Sequence, residues 1–332
     1  MRQVFPGGNS MGQSKLRLLV ILLGALIVLG NISSGCSKKN PEHQKNDRLL
    51  IALSACDKNN ARSIALISSV LEEAEKNNMS IEWRYAGGSF TKQKEDIKKL
   101  LELMPQYLII VPARSLGLGE AIKEANQQGT KVILLDGQVN DVTENEYLCR
   151  ISTDPEWEGI ASARIIGEFF NGKKAKVLEI QGKKGTSVSK ERSSGFRKEL
   201  CNYPNLEIAG VVYGDFDRTV TQQNIRKFIE AGKEFDAIFA HSDEEGLGAL
   251  EVLRKLWDDE IRIPIVSVNG QQDVKKALIA NKYYACVEST PYLGNHVIHV
   301  IQNDMCGARI SREIIVEGKV VTRDNVSELM GY

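Results

Sequence analysis

Short apolar runs alternate with longer amphipathic stretches from residue 49 to the end of the chain. Residues 49–54 read Leu-Leu-Ile-Ala-Leu-Ser, the pattern of a strand covered on both faces. Ile64, Ile67, Leu71 and Ala74 then recur at helical spacing. Residues 81–85 predict a second strand, and Ile97, Leu100, Leu101 and Met104 a second helix. Strands are expected at 107–111 and 131–135, flanking a helix that ends at Gly129, a residue that takes the left-handed C-terminal conformation without penalty. After an apolar run at 147–152 the rhythm restarts. It gives a helix over 156–171 and strands at 176–180, 206–213, 237–240, 263–268 and 285–288, with helices opening near Ser189, Arg218, Glu244 and Gln271.

Repeated strand–helix–strand units predict an α/β protein whose parallel sheets are covered by helices on both faces. One sheet of so many strands would be large, and 332 residues are long for a single core, so two similar lobes are expected. Proline interrupts regular structure in Ser152-Thr-Asp-Pro155 and Glu288-Ser-Thr-Pro291, which marks two crossings between lobes, and the runs at 313–317 and 319–322 mark a third. The expected N-terminal lobe is 49–153 plus 290–316, and the C-terminal lobe 154–289 plus 317–332.

Only the beginning of the chain departs from this pattern. Lys15 and Arg17 precede an apolar run at 18–30, which is shorter than the about 20 residues of a transmembrane helix and suits a signal-peptide core. Asn31-Ile-Ser-Ser-Gly-Cys36 follows, and small residues before a cysteine resemble the bacterial lipoprotein cleavage site, where the cysteine is lipidated. Ser33 stands where an aliphatic residue is more usual. Residues 1–36 thus read as a signal peptide with lipidation at Cys36, or as an uncleaved anchor; either puts the bulk of the chain outside the cytoplasmic membrane. Residues 37–48 are polar without an apolar period and read as a flexible tether.

Charge and cysteines narrow the function. Lysine plus arginine (43) equals aspartate plus glutamate (43), so there is no global basic field for nucleic acid. Beyond Cys36 lie Cys56, Cys149, Cys201, Cys286 and Cys306, with no C-x-x-C pair, so no structural zinc is expected. Cys149 and Cys286 sit in apolar runs and are expected as packed thiols. Residues 182–187 echo a phosphate loop without its ending, and no Gly-x-Gly-x-x-Gly is present. His241-Ser-Asp243 holds the residue types of a hydrolase triad, but consecutive residues do not give triad geometry. His296 and His299 share a helix face without further ligands for a metal. No cofactor, metal or catalytic set is expected.

In open parallel sheets ligands bind beyond the carboxyl ends of the strands. Those ends carry Ser54, Asp136, Gln181, Asp215, Ser242-Asp243, Asn269-Gly270 and Glu288. Two stretches that run from a strand into a helix, 179–192 and 213–219, add Phe216, Arg192, Arg218 and several small polar residues. An aromatic ring stacks on a sugar face and a guanidinium fork bonds vicinal hydroxyls, so the collection suits a polyhydroxylated ligand rather than bond-breaking chemistry.

Leu178-Glu-Ile-Gln-Gly182, Ser187 with Arg192 and Gly195-Phe196, Gly214-Asp-Phe-Asp-Arg218, Phe239-Ala-His-Ser-Asp-Glu244 with Gly248-Ala-Leu250, and Val268-Asn-Gly270 resemble, in order, the type I periplasmic sugar-binding proteins. These are the receptors of ribose- and galactose-type ABC importers. Glu288-Ser-Thr-Pro291 and Met330-Gly-Tyr332 look most like the galactofuranose-binding member. The resemblance runs from Leu49 to the C-terminus. It implies two Rossmann-like lobes joined by three hinge crossings, closing as a monomer on one monosaccharide, with Arg62, Asp136, Arg192, Phe216, Ser242, Asn269 and Glu288 as ligand contacts. Asp136 and Glu288 are expected as acceptors, Arg62 and Arg192 as donors, and Phe216 as the stacking ring. The implied partner is an ABC permease, or, in a sensing role, a membrane histidine kinase or chemoreceptor.

The chain departs from the family pattern at four places. Gly137 follows Asp136 where an arginine is usual, Ser242 stands for asparagine or aspartate, and Asn269 stands for aspartate. Asn60-Ala-Arg62 lacks an aromatic residue. A roomier pocket with one arginine fork and one carboxylate fewer is expected.

Overall fold

The computed structural model describes residues 49–56, 61–257 and 263–332. The signal, tether and Cys36 expectations lie outside the described residues. The first sheet is built from β1 (Leu50–Ala55), β2 (Ser80–Tyr85), β3 (Tyr107–Val111), β4 (Lys131–Leu135) and β5 (Cys149–Ser152). Between them run α1 (Ala61–Lys76), α2 (Phe90–Leu101) and α3 (Gly119–Gln127). The chain then enters the second sheet through α4 (Pro155–Phe170). The strands there are β6 (Ala175–Gln181), β7 (Leu206–Tyr213), β8 (Ala237–Ala240), β9 (Ile265–Asn269) and β10 (Ala285–Glu288), connected by α5 (Ser187–Leu200), α6 (Arg218–Glu230), α7 (Asp243–Leu256) and α8 (Gln272–Ile279). It returns through α9 (Gly294–Met305) to β11 (Glu313–Ile315), and crosses once more to β12 (Val320–Thr322).

The sheet orders are β11-β5-β4-β3-β1-β2 and β12-β10-β9-β8-β6-β7, so both lobes share one strand order. All pairings are parallel except β10 with β12. This is the expected α/β architecture of two lobes with three crossings. In each sheet the order reverses beside the first strand, between β1 and β3 in one lobe and between β6 and β8 in the other, the topological position where open α/β sheets bind ligands.

Why these runs form strands is visible in the pleat. Ile51, Leu53, Ile109 and Ile133 pack on one side with α1 and α9, through Leu66, Val70, Val297 and Ile301. Their chain neighbours Ala52, Leu108, Ile110 and Val132 pack on the other side with α2 and α3, through Ile97, Leu100 and Ile122. Strands buried on both faces need apolar residues at successive positions, which is the pattern the sequence carries. The second lobe repeats the arrangement, with Leu178, Ile180 and Ile238 toward α6 and α7 and Val177, Ala237 and Phe239 toward α4 and α5.

Most boundaries shift by a residue or two, and two of the shifts sit beside a proline. The helix read through Met104 ends at Leu101, because Pro105 disfavours helical backbone before it and Met104 adopts φ +53°. The strand read from 263 begins at Ile265, after Pro264. Cys149, Cys201, Cys286 and Cys306 are free thiols, with Cys149 and Cys286 buried as expected.

Candidate ligand-binding site

A cavity of about 130 Å³ lies where the carboxyl ends of both sheets meet. The first lobe contributes α1 through Arg62, the segment after β3 through Pro112 and Arg114, and the segment after β4 through Asp136. The second lobe contributes the segment after β6 through Lys183, α5 through Arg192, the turn after β7 through Phe216, and the segments after β8 and β9 through Ser242 and Asn269. Six of the seven expected contacts therefore line one cavity: Arg62, Asp136, Arg192, Phe216, Ser242 and Asn269.

Glu288 does not line it. It ends β10, where its amide bonds the Lys319 carbonyl and its own carbonyl backs onto Gly318 in the third crossing. Burial raises its pKa, offset in part by Lys319. Its neighbour Ser289 does not line the cavity either, but lies fully buried behind the wall, where its Oγ accepts from Arg62 Nη2 and from Arg192 Nη2, each at 3.3 Å. Thr153 Oγ1 lies 2.9 Å from the same oxygen. One hydroxyl on the second crossing thus joins the arginines of both lobes to the first crossing.

Arg62 makes a two-point ion pair with Asp136, Nη1 to Oδ2 at 2.5 Å and Nη2 to Oδ1 at 2.8 Å. Burial opposes its charge, but the Asp136 carboxylate outweighs that and holds the guanidinium pKa above its usual value. Nε of Arg62 is buried without a hydrogen-bond partner. The expected acceptor and donor of this lobe are therefore bonded to each other, and they offer a ligand their remaining lone pairs and N–H groups.

Arg192 is 2 % exposed and is held more tightly. Its Nε donates to Glu158 Oε2 at 2.7 Å, Nη1 to the His241 carbonyl at 2.5 Å, and Nη2 to Asn269 Oδ1 and Ser289 Oγ, both at 3.3 Å. The buried charge is paired and hydrogen-bonded, as burial requires. Glu158 was missed in the sequence; its signal is a carboxylate among the mostly apolar buried residues of α4. Gln271 was also missed, two residues beyond Asn269 and lining the cavity.

Backbone geometry singles out the same residues. Asp136 (φ +66°), Phe216 (φ +59°) and Asn269 (φ +128°) all stand in the left-handed half of conformational space, where non-glycine residues are strained. The Phe216 ring lies against Gly182, where an added Cβ would fall 2.0 Å from Cε1 of the ring, so only glycine leaves it that seat. Ser242 has a second task as the N-cap of α7, accepting from the Glu245 amide at 3.4 Å.

Direct bonds also link the lobes around the cavity. The Ser115 amide donates to the Gly185 carbonyl at 3.2 Å, the Gln138 amide to Ser187 Oγ at 3.0 Å, and Lys183 Nζ to the Gly88 carbonyl at 3.5 Å. In the His241-Ser-Asp243 stretch the acid and the imidazole face different partners. His241 meets Glu179 at 3.2 Å, while Asp243 accepts from Ser267 and the amides of Gly270 and Gln271. Burial lowers the His241 pKa, an effect Glu179 partly offsets. No group of three or more metal-ligating side chains occurs among the described residues.

The chain matches the family described as periplasmic binding protein domain over residues 51–308. It is 27% identical over 311 residues to a ribose import binding protein of Bacillus subtilis (strain 168), covering 92% of this chain and 98% of that protein. It is 29% identical over 241 residues to a galactofuranose-binding protein of Escherichia coli (strain K12), covering 69% and 74%. Among solved structures, a galactofuranose binding protein superposes with a TM-score of 0.79 at 24% identity, covering 84% of this chain and 96% of that one, and shares its fold.

Proposed function

This chain belongs to the periplasmic binding protein family, and from that premise we propose that its cleft captures one monosaccharide between the lobes for delivery to an ABC importer. The family is one of binding proteins without enzymatic activity, and it is extracytoplasmic. The sugar class is argued from relatives that bind ribose and galactofuranose, and from the chemistry of the cavity. The observation that carries the reading is the convergence of Arg62 and Arg192, one from each lobe, on Ser289 Oγ beside the cavity. Two prepositioned guanidinium forks flanked by Asp136, Asn269 and Gln271 match alternating hydroxyl donors and acceptors, and Phe216 supplies a ring for the apolar sugar face.

The lobes would move as 49–153 with 290–316 against 154–289 with 317–332. Sugar bound to one wall favours the conformer in which the other wall completes its hydrogen bonds, so occupancy shifts the population toward closure. The partner reads the closed surface of a monomeric receptor. Lipidation at Cys36 holds the protein at the outer face of the membrane; the mass of the mature N-terminal peptide tests this, and an intact leader would favour the anchored sensor instead.

The test is thermal unfolding of the purified full chain with a panel of pentoses and hexoses that includes galactofuranose. A sugar at about 100 times its Kd stabilises the fold by about 2.7 kcal/mol, a midpoint rise of several degrees. A selective rise that disappears in Phe216→Ala is the expected result. The absence of any rise across the panel would overturn the reading.

A further inference from the structure

The second lobe presents the ligand with two irregular segments. One is the turn at 214–217, which carries Phe216, with Asp215 and Phe216 both at positive φ. The other is the segment at 269–271, which carries Asn269 and Gln271, with Asn269 and Gly270 both at positive φ. Strained backbone of this kind persists only where its surroundings over-determine it. Both segments are tied to the same place, the first turn of α7.

Asp243 is fully buried. Its Oδ2 accepts from the amides of Gly270 at 2.7 Å and Gln271 at 2.6 Å, and its Oδ1 from Ser267 Oγ at 2.5 Å and Cys286 Sγ at 3.4 Å. Glu245, also fully buried, accepts from the Phe216 amide with Oε1 at 3.0 Å. Gly214 makes that approach possible, because a Cβ there would lie 2.7 Å from Glu245 Oε1 and 2.6 Å from its Cγ. Neither carboxylate lines the cavity. Burying two acids within one helical turn costs free energy, and burial raises Glu245 to a pKa of about 8 and Asp243 to about 6. The acids face backbone donors of the two ligand segments, which gives that cost a use.

We propose that Asp243 and Glu245 are positioning residues that fix, from beneath, where Asn269, Gln271 and Phe216 stand against the ligand. The inference rests on the proposed cleft reading and deepens it. Asp243 sets the segment after β9 and Glu245 the turn after β7, so one helical turn aligns two otherwise separate parts of the wall. The donor pattern also dictates which replacements work. An asparagine at 243 accepts both amides with Oδ1 while Nδ2 donates to Ser267 Oγ; a glutamine at 245 accepts the Phe216 amide.

The full chain is assayed by calorimetry with galactofuranose, D-ribose and L-arabinose as probes, and by hydrogen exchange at the amides of Phe216, Gly270 and Gln271. Asp243→Ala is expected to weaken binding about tenfold or more, the effect of stranding buried donors, and to lose protection at Gly270 and Gln271. Glu245→Ala loses protection at Phe216. Asp243→Asn and Glu245→Gln retain protection and bind within about threefold of wild type. Leu253→Ala, a core truncation on the same helix, controls for lost stability: it lowers the unfolding midpoint with affinity and segment protection unchanged. Alanine variants that bind like wild type, or that keep the protection of these amides as Leu253→Ala does, overturn the inference. Wild-type protein that binds none of the probes overturns the proposed function, and the exchange pattern alone then decides the positioning role.

Discussion

In the first lobe the arginine at the cleft meets one carboxylate, and the pair stays partly open to solvent, at 12% and 17% side-chain exposure for Arg62 and Asp136. In the second lobe the corresponding pair is sealed, at 3% for Arg192 and 1% for Glu158, and the guanidinium has three further acceptors in His241, Asn269 and Ser289. The lobes share a strand order but finish their strand ends differently. A sealed network has already met its desolvation and ordering costs, so the second lobe is the preorganised wall and the first is the wall that adapts. The usual arginine after Asp136 is Gly137 here, whose Cβ position is taken by the Pro112 ring, 2.6 Å away, so this lobe presents backbone where the family presents a fork.

The sharpest way to break the comparison is to remove Glu158. Glu158→Ala leaves Arg192 buried without its counter-charge and should cost about 3–5 kcal/mol, read as a lowered denaturation midpoint, while Asp136→Ala on the open pair should cost far less. Next come the arginines themselves, assayed by titration with the sugar found in the thermal screen. Arg192→Ala should weaken binding by about 2–5 kcal/mol and Arg62→Ala by about 1–3 kcal/mol; equal losses would mean that the walls are equivalent. Gly182→Ala should push the Phe216 ring from its seat and weaken binding by about 1–3 kcal/mol with a smaller change in the unfolding midpoint.

The smallest effect is a pH dependence unique to the second lobe. Glu245 has a folded pKa of about 8, above its ordinary 4.5, so the folded state holds a proton that the unfolded chain has released. That contribution to stability is complete below about pH 4.5 and is lost as pH rises to about 8. Below about pH 6.5 the buried neutral His241 acts in the opposite sense. The midpoint should therefore fall from about pH 7 toward 8 in wild type and stay level in Glu245→Gln. A fall of the same size in the variant would remove Glu245 as the cause.

Most of the fold was legible because doubly buried strands leave unbroken apolar runs, and because Gly129 and Pro155 mark ends of elements. The misplaced ends, at Met104 and Ile265, both sit beside a proline whose local effect outweighs the apolar period. Within the site, residues whose chemistry is intrinsic were legible, such as the ring of Phe216 and the guanidinium of Arg192. Glu288 and Ser289 show the limit. Successive residues at a strand end point in different directions, and which one meets the arginines of the cleft depends on how the chain turns into the crossing. Asp243 was legible as a strand-end residue but not its partners, and Glu245 and Glu158 were not singled out at all, because their partners are backbone amides and a distant arginine, brought near only by tertiary structure.

The three crossings also dictate when each half can be finished as the chain arrives, N-terminus first, where it folds. β11, at residues 313–315, is the last strand of the first sheet, and α9 covers one of its faces. Leu66, Val70, Ile109 and Ile133 are made early but wait for Val297 and Ile301 before their side of the core is closed. The half synthesised first is thus completed after nearly all of the other half exists. Such contacts span most of the chain, which slows folding and leaves an apolar sheet face uncovered meanwhile. A chain truncated before residue 294 should be a substrate for chaperones, and the full-length chain should not.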